Sequence, residues 1–191
     1  MKNLKNPLVF MLIALTTLSF TTIIKDVKEV NTKESKVVWK EYKVTGSHEG
    51  TVNLQSGTLN FEDDKLVGGE FTIDMTSIAV TDLSGDYQKK LEGHLKSDDF
   101  FGVKNHPTST LVFTKVKSKG KNSYEVTADL TIKNKTNPVT FEISVYGKKA
   151  TASLKVDRAE YDVKYGSTSF FDGLKDKAIY DEFDLVVDLV F

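Results

Sequence analysis

The chain has 191 residues, 39% of them hydrophobic and 28% charged, a balance that is typical of a folded soluble domain and excludes intrinsic disorder. Its 26 Lys and Arg residues and 27 Asp and Glu residues give a net charge of -1, without the basic excess of a nucleic-acid-binding protein. The absence of cysteine excludes disulfides, thiolate zinc sites and cysteine catalysis.

Residues 1–22 predict a secretory signal peptide. They begin with two lysines in the first five positions, and a mostly apolar run follows from Leu8 to Phe20. That run is short for the ~30 Å hydrocarbon core of a membrane, and an uncleaved anchor is the alternative. We therefore expect a periplasmic or secreted mature protein with no stable membrane span. Residues 23–35 are polar and charged, and we interpret them as a linker.

Residues 36–191 carry the alternation of apolar and polar residues that is typical of strands with one apolar face. Eight such runs at short spacing predict an all-β domain, with antiparallel strands closed into an up-and-down barrel. The runs are residues 36–46, 51–61, 66–74, 110–116, 124–132, 139–145, 150–156 and 183–191.

Two segments interrupt the strands. Leu83, Tyr87, Leu91 and Leu95 recur at four-residue steps, which predicts a short helical insertion with this face packed on the barrel. Residues 158–179 are rich in Gly, Ser, Asp and Phe and predict a long loop.

Few residues point to catalysis or to a metal. His48, His94 and His106 have spacings that match no zinc motif. The segment from Gly46 to Gly50 lacks the spacing of a serine nucleophile elbow, and we interpret it as a tight turn or bulge. We expect no catalytic residue, no metal ligand and no cofactor. A metal-assisted enzyme that uses His48, His94 and nearby acids is the alternative.

An eight-stranded barrel can enclose one ligand, and the inward face of each strand would then line the cavity. The alternation leaves open which face of residues 36–46 points inward. Lys43 and Arg158 are also candidate ligand contacts, because a buried charge needs a partner. The candidate apolar lining residues are Val52, Leu54, Leu59, Phe61, Phe71, Ile73, Leu111, Phe113, Val126, Leu130, Phe141, Ile143, Leu154, Val156, Leu185 and Val187.

Three segments resemble signatures of the YceI-like family. They are LEGHLKSDDFF at residues 91–101 with His106-Pro107, LTIKNKT at residues 130–136 with Pro138-Val139, and Val156-Asp157-Arg158. The resemblance covers roughly residues 39–191. It implies a lipocalin-like barrel, often exported to the periplasm, that binds polyisoprenoids or related long-chain amphiphiles in an elongated cavity. No general enzymatic activity comes with the family.

We therefore expect residues 36–191 to form a YceI-like lipid-binding barrel that carries or stores a polyisoprenoid or similar long-chain lipid. The alternative from another class is a structural or stress-related envelope protein whose barrel is filled by its own side chains. A homodimer is compatible with the sequence.

Overall fold

The computed structural model describes residues 25–191, and the signal peptide predicted for residues 1–22 lies outside them. Within the described part of the chain, eight antiparallel strands close into a barrel, and a ninth short strand extends one of them. The predicted all-β, eight-stranded antiparallel barrel with a short helical insertion is thus confirmed.

The elements follow one another in chain order with short turns, except around the helix and after β8. The strands are β1 (Lys25–Glu29), β2 (Lys36–Lys43), β3 (Gly46–Glu62), β4 (Lys65–Val80), β5 (Thr108–Ser118), β6 (Ser123–Ile132), β7 (Lys135–Tyr146), β8 (Lys149–Asp157) and β9 (Ile179–Val190). Helix α1 is Gly85–Lys96, and short 3-10 turns occur at Arg158–Tyr161 and Lys175–Lys177.

The barrel closes in the order β3-β2-β9-β8-β7-β6-β5-β4 and back to β3. The longest seam joins β3 to β4, and the β4–β5 seam pairs Glu70–Asp74 with Thr108–Val112. We call the end that carries α1 and residues 158–178 the loop end. The opposite end, with the β7–β8 turn at Gly147, is the hairpin end.

The linker expected for residues 23–35 contains a strand. β1 pairs with the second half of β3, from Lys25 opposite Glu62 to Glu29 opposite Thr58. β3 outruns β2, and its remaining edge accepts β1 because unpaired strand edges favour further pairing. The sequence KDVKE hides this strand, because all five of its side chains are exposed and carry no apolar alternation.

The strands also extend further than the alternation indicates. The tight turn or bulge expected at Gly46–Gly50 is instead the start of β3, which pairs regularly with β2 there, and the turn is at Val44-Thr45. Gly50 is required there by close packing, since a Cβ atom would lie against the Ala79 carbonyl and 2.5 Å from Trp39 Cζ2.

Helix α1 confirms the predicted insertion, but its predicted apolar face packs only in part. Leu95 is 3% exposed and Leu91 packs partly against the core, whereas Tyr87 is 76% exposed. Gln88 and Glu92 bond to the backbone of Val80 at the end of β4, and this orientation turns Tyr87 to solvent. Among residues 25–191, no helix combines the length and apolar character needed to cross a bilayer.

Leu95→Asp should lower the free energy of unfolding by at least about 3 kcal/mol, because it buries a carboxylate without a partner. Urea unfolding followed by circular dichroism measures this loss. Tyr87→Asp on the same helix is the matched control and should change stability by less than about 0.5 kcal/mol. Equal losses in the two variants would show that α1 does not pack on the barrel through Leu95.

Candidate ligand-binding cavity

Two adjoining apolar chambers occupy the barrel interior. The upper chamber, at the loop end, has a cavity volume of about 100 Å³. A cavity of about 10–15 Å³ holds one water molecule, so the chamber is several times larger than a void for a single water. Its lining residues are Val37, Trp39, Glu41, Val52, Ile73, Met75, Ile78, Leu95, Phe100, Phe101, Ser109, Leu130, Ile132, Phe183 and Leu185.

The lower chamber extends towards the hairpin end and has a cavity volume of about 70 Å³. Every residue of its wall is apolar: Val37, Leu54, Phe71, Ile73, Leu111, Phe113, Leu130, Phe141, Ile143, Ala152, Leu154, Leu185, Val187 and Leu189. Its Phe71, Phe113 and Phe141 rings form a row with centroid separations of 5.8 Å.

The two chambers share Val37, Ile73, Leu130 and Leu185 in their walls, so they adjoin in the middle of the barrel. A cavity with such walls offers water almost no hydrogen-bond partners and tends to stay dry or to take an apolar ligand. Together the two chambers extend along the barrel from the loop end towards the hairpin end.

Most of the predicted apolar lining residues reach the chambers. The set that does so is Val52, Leu54, Phe71, Ile73, Leu111, Phe113, Leu130, Phe141, Ile143, Leu154, Leu185 and Val187. Phe61, Val126, Val156 and Leu59 are buried but line neither chamber.

These four residues pack in solid parts of the interior. Phe61 packs against Phe191 beyond the hairpin end of the lower chamber, with ring centroids 5.8 Å apart. Val156 belongs to a separate cluster around Tyr161, which is fully buried. Strand alternation separates inward from outward faces, but it does not show where along the axis the inward side chains meet.

Lys43 and Arg158, the two predicted charged contacts, also lie outside the chamber walls. Lys43 Nζ lies 3.2 Å from His48 Nε2, and His48 Nδ1 lies 2.8 Å from Asp82 Oδ2. These polar contacts connect the end of β2, the start of β3 and the segment after β4, at the loop end of the barrel. Burial acts to raise the pKa of Asp82, but hydrogen bonds of its carboxylate with His48 and with the backbone amide of Glu49 outweigh it and hold this pKa below its usual value.

Arg158 has a structural position. Its side chain is 1% exposed and donates to the carbonyl oxygens of Val163, Ile179 and Tyr180 at 2.9, 3.2 and 3.2 Å. These bonds join the two ends of the long loop, because Val163 lies near its start and Ile179 follows it. The guanidinium also lies 5.4 Å from the centroid of the Phe100 ring, which lines the upper chamber.

Glu41 is the acidic residue of the upper chamber wall. Its side chain is 14% exposed, and Oε1 lies 3.6 Å from Arg158 Nε. Burial raises the pKa of Glu41 to about 7, while the positive charges of Arg158 and Lys43 act in the opposite direction. The group therefore changes charge near neutral pH at the loop end of a mostly apolar cavity.

Several lining residues are absent from the sequence-based set. Phe100 and Phe101 come from the segment after α1, and Leu95 from α1 itself, so no strand alternation marks them. Trp39 and Glu41 lie on the face of β2 that also carries Lys43, opposite Val38 and Tyr42. The charged neighbour of Glu41 is Arg158, which is distant in sequence.

The histidines do not assemble into a metal site in the described chain. Residues 25–191 contain no group of three or more His, Asp or Glu side chains that could hold a metal ion. His94 instead packs against Tyr165 and Phe100, with ring centroids 4.3 and 5.5 Å away, and burial lowers its pKa.

The raised pKa of Glu41 predicts a pH-dependent stability. The folded protein binds the Glu41 proton more tightly than the unfolded chain, so this contribution falls as pH rises from about 4.5 to about 7. Glu41→Gln stays neutral throughout, so the stability of wild type relative to this variant should fall by up to about 3 kcal/mol across that window. Urea unfolding of both proteins at several pH values measures the difference. A difference that is constant with pH would contradict the burial of an ionisable Glu41.

Solved structures share this barrel. The Burkholderia cenocepacia BcnA crystal structure aligns with a TM-score of 0.67 and 26% identity, covering 85% of this chain and 99% of that chain. A polyisoprenoid binding domain from Saccharophagus degradans, described as implicated in plant cell wall breakdown, aligns with a TM-score of 0.60. It is 14% identical over 88% of this chain and 99% of its own, a likeness that shows the fold alone.

Sequence relatives carry the name UPF0312 protein. The one from Pseudomonas putida strain W619 is 30% identical over 99 residues, 52% of this chain and 50% of the relative. A Vibrio parahaemolyticus relative is 25% identical over 64% of this chain and 69% of its own. The chain thus spans about half the length of the first of these curated relatives. The YceI-like domain model matches residues 29–191, so the chain belongs to the YceI-like domain family.

Proposed function

We propose that the protein is a binding protein that holds a slender apolar chain, such as a polyisoprenoid or a similar long-chain lipid, inside its barrel. The carrying observation is the pair of adjoining chambers, whose lower part is walled by apolar side chains throughout. A cavity of this kind accepts a chain of methylene or isoprene units and excludes bulky or strongly polar ligands.

Burial of the chain alone can supply the affinity. Each buried CH₂ contributes ~0.8 kcal/mol, so a five-carbon isoprene unit contributes roughly 3–4 kcal/mol before the costs of association. The relative named as a polyisoprenoid binding domain, which shares this fold, supports the same ligand class.

The alternative functions lack such support. A barrel filled by its own side chains would leave no chambers of this size, and close packing is the norm for protein interiors. An enzyme would need polar groups that converge on a bound substrate, whereas the carboxyl group of Glu41 faces Arg158 and the rest of the wall is almost wholly apolar. A non-catalytic carrier therefore accounts for the cavity better.

We further propose that this carrier works in the periplasm or is secreted. The support is the basic start and short apolar run of residues 1–22, which are typical of a signal peptide.

Ile73 lies at the junction of the chambers and offers a test of lipid binding. Ile73→Trp should abolish binding of farnesol, measured by isothermal titration calorimetry, and shift the melting temperature little, because the empty cavity accepts the added ring. In a filled barrel the same change would overpack the core and cost ~1–3 kcal/mol.

Val112→Trp is the matched control, because Val112 is 44% exposed on the outer surface of β5. It should bind farnesol like wild type. Unchanged farnesol binding in Ile73→Trp would place the ligand outside the chambers, and no binding by wild type would contradict the carrier function.

Export predicts a defined new N-terminus. The protein isolated from its own cells should begin between Phe20 and Lys25, because cleavage would follow the apolar run. N-terminal sequencing of the periplasmic or secreted fraction measures this directly. A chain that retains Met1 in the membrane fraction would indicate an anchor instead.

A further inference from the structure

Exposed aromatic side chains are concentrated at one end of the barrel. Of the six exposed Phe and Tyr residues among residues 25–191, five lie at the loop end and Tyr146 lies at the hairpin end. The five, which we call the aromatic rim, are Tyr87, Tyr165, Phe170, Phe171 and Tyr180. Grouped exposed aromatic residues on a protein of this kind indicate a surface that contacts a partner.

The backbone beneath the rim is fixed, so its side chains are held outward by the fold. The Phe170 and Phe171 amides donate to the carbonyl oxygen of Ser167, a residue that is fully buried. The Ile179 amide donates to the Gly166 carbonyl at 2.8 Å, and Ser169 Oγ donates to Asp181 at 2.6 Å. These bonds fix the backbone that carries Phe170 and Phe171, whose rings are exposed.

One rim residue, Tyr165, is connected to the upper chamber wall through ring contacts. The Tyr165 ring contacts the His94 ring, which contacts Phe100, and Phe100 forms part of the upper chamber wall. A lipid that enters or leaves the upper chamber at this end passes beside the rim. The rim is thus continuous with the cavity that the proposed function fills.

The charges of residues 159–178 indicate what kind of partner the aromatic rim contacts. Residues 159–178 contain three lysines and four acidic residues, so the loop has no large charge of either sign. Lys164 Nζ lies 5.2 Å from the centroid of the Phe170 ring, an arrangement that pairs an aromatic face with a polar head. Lys164 also pairs with Asp162 at 2.7 Å, so its charge is balanced locally. Exposed Phe and Tyr side chains beside such a polar pair are suited to the interface between lipid headgroups and acyl chains.

We propose that the aromatic rim docks the loop end onto the surface of a lipid bilayer, which would deliver or receive the ligand of the upper chamber. This inference rests on the proposed function. Because the loop is nearly neutral, contact depends on burial of the rings and should vary little with salt or with added anionic lipid.

The full chain allows a test that compares the two ends of the barrel. β1 begins at the hairpin end, where Lys25 pairs with Glu62 at the tip of the β3–β4 hairpin, so a tether through residues 1–24 starts from that end. Phe171→Trp places a fluorescent reporter on the rim. Tyr146→Trp places a matched reporter on a residue of similar exposure at the hairpin end.

Both variants would be mixed with phosphatidylcholine vesicles that contain brominated lipid, which quenches tryptophan on contact. We expect strong quenching for Phe171→Trp, at least several-fold greater than for Tyr146→Trp, after subtraction of the signal of Trp39 in wild type. Added phosphatidylglycerol or salt should change this ratio by less than about twofold.

Equal quenching at both sites, stronger quenching at residue 146, or none at residue 171 would overturn the docking proposal. A dimer, seen by light scattering, that Phe171→Ser dissociates would also overturn the docking proposal, because a second copy would then cover the rim.

Farnesol binding measured on the same samples separates the two proposals. Binding without quenching at residue 171 removes docking alone, and quenching without farnesol binding removes the carrier function.

Discussion

The buried guanidinium of Arg158 organises the loop end of this barrel. It joins the start and the end of the long loop through three backbone carbonyls, and it lies between the carboxylates of Glu41 and Asp181 at 3.6 Å from each. A buried cation of this kind is tolerated only where hydrogen bonds and opposite charges compensate it. The positions of both ends of the long loop, and with them the exposed rings of Tyr165 and Tyr180, depend on that compensation.

The mostly apolar barrel interior contrasts with this charged cluster. The strands that line the chambers contribute apolar side chains, but those side chains do not meet at the centre, and about 100 Å³ and 70 Å³ stay open in the two chambers. Unfilled apolar volume lowers the stability of a protein, because the lining atoms lack contacts. A ligand chain that supplies those contacts would recover this energy, which links the openness of the barrel to binding rather than to stability.

Much of this architecture is predictable from the sequence, because period-two alternation directly reflects a barrel with an inside and an outside. The inward positions of Ile73, Phe113 and Ile143 follow from it without further information. β2 is different: its inward face carries Glu41, whose charged neighbour Arg158 lies over a hundred residues later in the chain. Local patterns cannot reveal a pairing of that kind.

The remaining differences have similar causes. β1 has no apolar face, so pairing with the edge of β3 determines its structure. The four-residue spacing of apolar residues correctly located α1. Hydrogen bonds between the side chains of Gln88 and Glu92 and the backbone of Val80 determine which residues of the helix touch the barrel. In each case the missing information is a contact with another element rather than a local preference.

The most direct test of the central claim is native mass spectrometry of the protein purified, without detergent, from its own envelope-containing lysate. A carrier should retain an additional mass that matches a long-chain lipid, and this mass should be released when the barrel is denatured. A protein that shows only the mass of its own chain, and gains none after incubation with farnesol, would contradict the account.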